Sequence, residues 1–79
     1  MATAFVLISV ASGQEDYVHD KLKATGEICD MCSLFGPYDF IAKIDAEDRE
    51  GLRDIVLTQI RAIPGVTETK TLIVAKLEE

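Results

Sequence analysis

Apolar residues fill both alternating sets between Phe5 and Ala11: Phe5 and Leu7 on one side, Val6, Ile8 and Val10 on the other. Successive side chains of a strand point to opposite faces, so a segment apolar on both sets reads as a strand covered on both. Ser12 and Glu15 follow in an S-x-x-E arrangement, in which the hydroxyl caps a first-turn N–H and the carboxylate reaches back. A helix is expected from there to about Ala24, with Val18 and Leu22 as its apolar stripe and Tyr17 at the stripe's edge, ended by Thr25-Gly26. A second strand over about Glu27 to Phe35 turns at Gly36-Pro37 and returns as a third strand from Tyr38 to Ile44, making a hairpin. Asp45 is the expected N-cap of the next helix, with Glu47 and Asp48 in its first turn, where the helix dipole favours negative charge. Leu52, Ile55, Val56, Gln59, Ile60 and Ile63 recur at the spacing of one helical face before Pro64-Gly65 closes the helix. The fourth strand, Thr67 to Leu77, carries Thr69, Thr71 and Ile73 on one side and Lys70, Leu72 and Val74 on the other.

Strand, helix, strand, strand, helix, strand predicts a ferredoxin-like α+β sandwich. In this βαββαβ arrangement, right-handed crossovers put both helices on one face of a four-stranded antiparallel sheet. The other face stays open. Strands one and four carry large apolar residues toward it, more than a soluble monomer usually leaves in water, which predicts a dimer through that face. A chain of 79 residues makes one domain, 1–79, and so small a domain gains from burying further surface by self-association. The 48% apolar content is that of a globular chain, and no apolar run reaches the length of a bilayer span. Residues Ala2 to Ala11 look like a signal-peptide core, but no Lys or Arg precedes them, and a strand is the better reading. The formal net charge of −6 disfavours phosphate backbones and anionic lipid as partners, so neither direct nucleic-acid binding nor membrane binding is expected.

Catalytic chemistry finds little footing. The only histidine, His19, lies in the first helix among charged neighbours with no nucleophile partner and reads as a solvated helix residue. Cys29 and Cys32 form a lone C-x-x-C on an expected strand, where residues three apart face opposite ways. They read as two small, half-buried residues in a reducing compartment, since a redox pair needs a helix N-terminus and zinc needs four ligands. No catalytic residue, cofactor or metal is expected, and the missing targeting segment places the expected compartment in the cytoplasm. A polar site remains at the hairpin turn. Gly36 lets a ligand approach the main chain, and Asp39 can accept from an ammonium group. From the residues alone, Gly36-Pro37 as only a turn with Asp39 its stabiliser is the preferred reading.

Leu34-Phe35-Gly36-Pro37-Tyr38-Asp39-Phe40-Ile41-Ala42-Lys43-Ile44, followed by Ile63-Pro64-Gly65-Val66-Thr67-Glu68-Thr69-Lys70-Thr71, resembles the effector-binding module, often called RAM, of the leucine-responsive/AsnC-type (Lrp/AsnC) transcriptional regulators. The resemblance runs from about Phe5 to Val74, nearly the whole sequence, so no DNA-binding domain is expected. It implies a stand-alone module that binds an amino acid or related small metabolite where dimers meet in a ring, and that co-assembles with full-length regulators. Carried over by position, Gly36, Tyr38 and Asp39 match the effector-binding loop, and Thr69 and Thr71 match polar positions on the nearby strand. Pro37 has no N–H, so no effector contact runs through the amide of residue 37. Tyr38 reads equally as a lid over the ligand or as part of the subunit interface. Two other readings stand beside this one: a small dimeric ferredoxin-like enzyme of oxygenase or isomerase type, and an assembly-only module whose loop has lost its ligand.

Overall fold

Ala4, Val6 and Ile8 are fully buried on one side of the first strand, β1 (Ala2–Val10), and around that row the fold is organised. The computed structural model describes residues 1–76. Its further elements are α1 (Glu15–Lys23), β2 (Ile28–Ser33), β3 (Phe40–Ala46), α2 (Arg49–Ile55), a π turn over Val56–Ile60 that continues α2, and β4 (Val66–Ile73). The sheet order is β2-β3-β1-β4, with every neighbouring pair antiparallel. This is the ferredoxin-like sandwich expected from the pattern. Leu77 to Glu79, where the sequence puts the end of the fourth strand, lie outside the described residues.

The core is one cluster between the sheet and the two helices. Phe40, Ala42 and Ile44 of β3 lie beside the β1 row, Val18 and Leu22 come from α1, Leu52, Val56 and Ile60 come from α2 and its continuation, and Ile63 comes from the connection to β4. The opposite sheet face carries Thr3, Phe5, Leu7 and Ser9 of β1, with Ile41 and Lys43 of β3 and Lys70 and Leu72 of β4 at their cross-strand positions. Phe5 is 36% exposed and Leu72 47%. No described helix covers these residues, because both helices pack against the core row.

Several boundaries move, each for a local reason. The second helix is capped by Asp48, whose Oδ1 accepts the Gly51 N–H at 2.8 Å, and not by Asp45. Asp45 still pairs with Thr3 in the β1–β3 ladder, so the chain stays extended through Ala46 and the helix waits for the next acid. Gln14, without a side-chain capping bond, starts α1. Ser12 is not the cap, and Glu15 reaches back to the Gly13 N–H at 2.9 Å instead. Gln59 is exposed while Ile60 is fully buried. The Arg61 N–H bonds the Val56 carbonyl at 2.8 Å, five residues back, and that wider turn swings Gln59 off the apolar face and Ile60 onto it.

The two cysteines also depart from expectation. Ile28 pairs with Ile44 but Asp30 with Lys43, which leaves Cys29 as the extra residue of a bulge and reverses the facing of the residues after it. Cys29 donates to Asp45 Oδ2 at 3.2 Å, and Cys32 pairs with Ile41. Both therefore belong to the open-face side, and both are exposed, not half-buried.

Candidate functional site

The loop 34–39 joins β2 to β3 and is longer than a tight turn. Gly36 has φ +125°, a conformation open to glycine and strained for other residues. Beyond it the loop is fastened to β1 by main-chain and side-chain bonds. The Asp39 N–H bonds the Ile8 carbonyl and the Leu34 N–H bonds the Asp39 carbonyl, each at 2.8 Å. The Asp39 carboxylate takes the Val10 N–H on Oδ2 at 2.8 Å, beside the point where the β1–β4 register shifts between Ser9 and Val10. Ser9 donates its hydroxyl to the Pro37 carbonyl at 2.8 Å. Asp39 is thus a long-range fastener of the sheet's irregular end, a role distinct from the local turn stabiliser that the sequence offered.

Tyr38 turns toward β4. Its hydroxyl donates to Glu68 Oε2 at 3.4 Å, and loss of water around the phenol, with the Glu68 charge and that bond, pushes its pKa above the usual tyrosine value. Phe35, at the outer part of the loop, is fully exposed. Such an aromatic at a loop tip is a ready contact for another chain.

Thr69 and Thr71 lie elsewhere in the single chain. They pair with Ile8 and Val6, whose side chains are in the core, so they belong to the helix side of β4. There they line a groove of about 610 Å³ together with Arg49, Glu50, Arg53, Val56, Leu57, Arg61 and Ile73. One chain therefore brings Gly36, Tyr38 and Asp39 together and separates them from Thr69 and Thr71. The sequence reading missed the arginines altogether. Their i, i+4 spacing at 49 and 53 was legible, but the π turn that brings Arg61 to the same groove was not.

A smaller polar cluster sits at the opposite end of the sheet. Asp45 takes the Thr3 hydroxyl on Oδ1 at 2.6 Å and the Cys29 thiol on Oδ2. These two bonds, with the nearby Lys43 charge, hold its carboxyl below the usual range. The bond to Asp45 in turn pushes the Cys29 thiol up, the reverse of what an activated cysteine requires. His19 is half-buried and rests against Phe40, ring centroids 5.9 Å apart. Among the described residues no group of three or more His, Cys, Asp or Glu could hold a metal ion, and no helix is long and apolar enough to cross a membrane.

Comparison with known proteins gives a consistent set of matches. A sequence model of the Lrp/AsnC ligand binding domain matches residues 3–77. The transcriptional regulator FL11 of Pyrococcus horikoshii, described as helix-turn-helix type, is 37% identical over 73 residues, which is 92% of this chain and 48% of FL11. The chain thus spans about half the length of the curated relatives it matches. The crystal structure of TTHA0845 from Thermus thermophilus superposes with a TM-score of 0.92 at 30% identity, covering 100% of this chain and 99% of that one. That of the regulator NMB0573 from Neisseria meningitidis, solved as a complex with L-Met, gives 0.82 at 20% identity over 95% of this chain and 50% of its own, a likeness of fold.

Proposed function

Because the chain belongs to the Lrp/AsnC ligand-binding domain family, we propose that it senses an amino acid or a related small metabolite and so modulates transcription. The observation that carries this reading is the family match over residues 3–77 on a chain with a groove lined by Thr69 and Thr71. A groove of about 610 Å³ falls within the size range of small-molecule sites. The related FL11 proteins are transcriptional regulators, and an L-methionine complex exists for NMB0573, a neighbour in fold.

In this reading two copies pair through the open sheet face, where Phe5 and Leu72 are half-exposed, and the dimers meet again through the loop 34–39. The two separated halves of the site favour such assembly: Gly36, Tyr38 and Asp39 of one copy and Thr69 and Thr71 of another can line one cavity, although a single chain keeps them apart. Co-assembly with full-length regulators of the family would bring the module to DNA. The reading makes the protein a sensor and not an enzyme.

A thermal-shift panel of the twenty amino acids at millimolar concentration tests it. A ligand present at 100 times its Kd stabilises the native state by about 2.7 kcal/mol. A rise in melting temperature with one or a few amino acids is the expected result, and a flat panel contradicts an amino-acid effector.

A further inference from the structure

We infer that the ligand is an acidic amino acid, held in the groove between α2 and β4 by Arg49, Arg53 and Arg61 through its two carboxylates and by Glu50 through its ammonium group. This rests on the effector-binding reading and names the ligand class that reading leaves open. The sequence has arginine at positions 49, 53 and 61 and nowhere else, and all three line the one groove. In a chain of formal net charge −6, that gathering of guanidinium groups is a strong local exception.

The π turn produces the gathering. In an uninterrupted α-helix each residue advances about 100°, so Arg61 would stand roughly 120° around the helix from Arg49. The turn over Val56–Ile60 winds less per residue and returns Arg61 to the line of Arg49 and Arg53. A single-turn π insertion is uncommon and frequently found at functional sites. Among the described residues the guanidinium groups have no acidic partner within 4 Å. The one ion-pair contact among the described residues joins His19 and Asp20, and Arg49, Arg53 and Arg61 donate no side-chain hydrogen bond among those residues.

Guanidinium groups recognise carboxylates by paired, planar hydrogen bonds. Three of them exceed what one α-carboxylate requires. Glu50 is the only acid in the groove's lining; it would repel a bare polyanion but complements an ammonium group. Thr69 and Thr71 hydroxyls supply neutral donors to the same ligand. Positive groove, single acid and two hydroxyls together match a molecule with two carboxylates and one ammonium.

Isothermal titration of the intact protein with L-glutamate, L-aspartate, L-glutamine, L-asparagine and inorganic phosphate tests the assignment, alongside the variants Arg53→Gln and Glu50→Gln. At least one acidic amino acid is expected to bind about tenfold or more tighter than its amide, and Arg53→Gln to weaken it by a similar factor. Arg53 is exposed, so the melting temperature of that variant without ligand should match the parent. Glu50→Gln should weaken glutamate or aspartate but tighten succinate, titrated as the dicarboxylate that lacks an ammonium group, because the charge that repels it is gone. Equal binding of acid and amide, phosphate binding as tight as glutamate, or an unchanged affinity in Arg53→Gln overturns the inference. Response to neutral amino acids alone removes this ligand class and leaves the sensing role standing, whereas no response to any amino acid removes the amino-acid effector as a whole.

Discussion

Replacing Asp39 by alanine isolates what fastens the loop 34–39 to the sheet. The carboxylate accepts the Val10 N–H at 2.8 Å in a partly buried setting, where β1 has lost its regular pairing with β4. A hydrogen bond to a charged group contributes about 1.5–3 kcal/mol, and removing the acceptor leaves the donor without a partner. The two main-chain bonds of residue 39, to Ile8 and Leu34, survive the substitution. A loss of about 2 kcal/mol is therefore expected, which in a domain of this size lowers the melting temperature by roughly 8–16 °C. Asp39→Asn keeps an acceptor oxygen and should lose about half as much or less. The assay is thermal unfolding followed by circular dichroism, with all variants at one protein concentration because self-association shifts the midpoint. An alanine variant melting within about 2 °C of the parent would refute the fastening role.

Gly65 has φ +104°, and a Cβ there would meet Gln14 Cβ and Val18 Cγ2 at 3.0 Å; Gly65→Ala should cost about 1–3 kcal/mol, read from denaturant midpoints. Asp45 has its folded-state pKa depressed by the Thr3 hydroxyl first and the Cys29 thiol next. Its stabilising contribution is present above the unfolded carboxylate value and is lost as pH falls through the folded one; Thr3→Val should move the Asp45 titration upward in carboxyl-carbon NMR. Phe5→Asp places a charge on the open sheet face, between Lys43 and Leu72 at its cross-strand positions, and should convert a dimer into an 8.7 kDa monomer in sedimentation. A parent that already sediments as a monomer contradicts the dimer proposal.

The order of elements was legible because each signal was local. The double apolar set in β1, the Val18 and Leu22 pair, and the Leu52, Val56, Ile60, Ile63 series are local statements about one segment each; Val6 and Ile8 join the helix residues in the core, while Phe5 and Leu7 take the open face. What escaped depends on pairing between segments. Asp45 and Asp48 are equally good caps in isolation, and only the Thr3 partnership in the ladder keeps Asp45 in the strand. The bulge at Cys29 needs the β3 register to be seen, so strand alternation alone assigned the two cysteines to opposite faces. The candidate site shows the same division. Gly36 and Asp39 stood out from their residue types beside a turn, whereas the arginine groove needs the π turn and the position of β4 next to α2. That the loop and the Thr69–Thr71 pair lie apart in one chain is a fact of topology that no local pattern carries.

The central claim is that the loop and the β4 hydroxyls serve one ligand across a subunit contact. Amide chemical-shift mapping of the isotope-labelled protein, titrated with the amino acid that most raises its melting temperature, tests this most directly. The account predicts that Gly36, Tyr38 and Asp39 move together with Thr69 and Thr71 and that both groups fit one dissociation constant. Shifts confined to other parts of the sheet, or two groups titrating with unrelated constants, would contradict it.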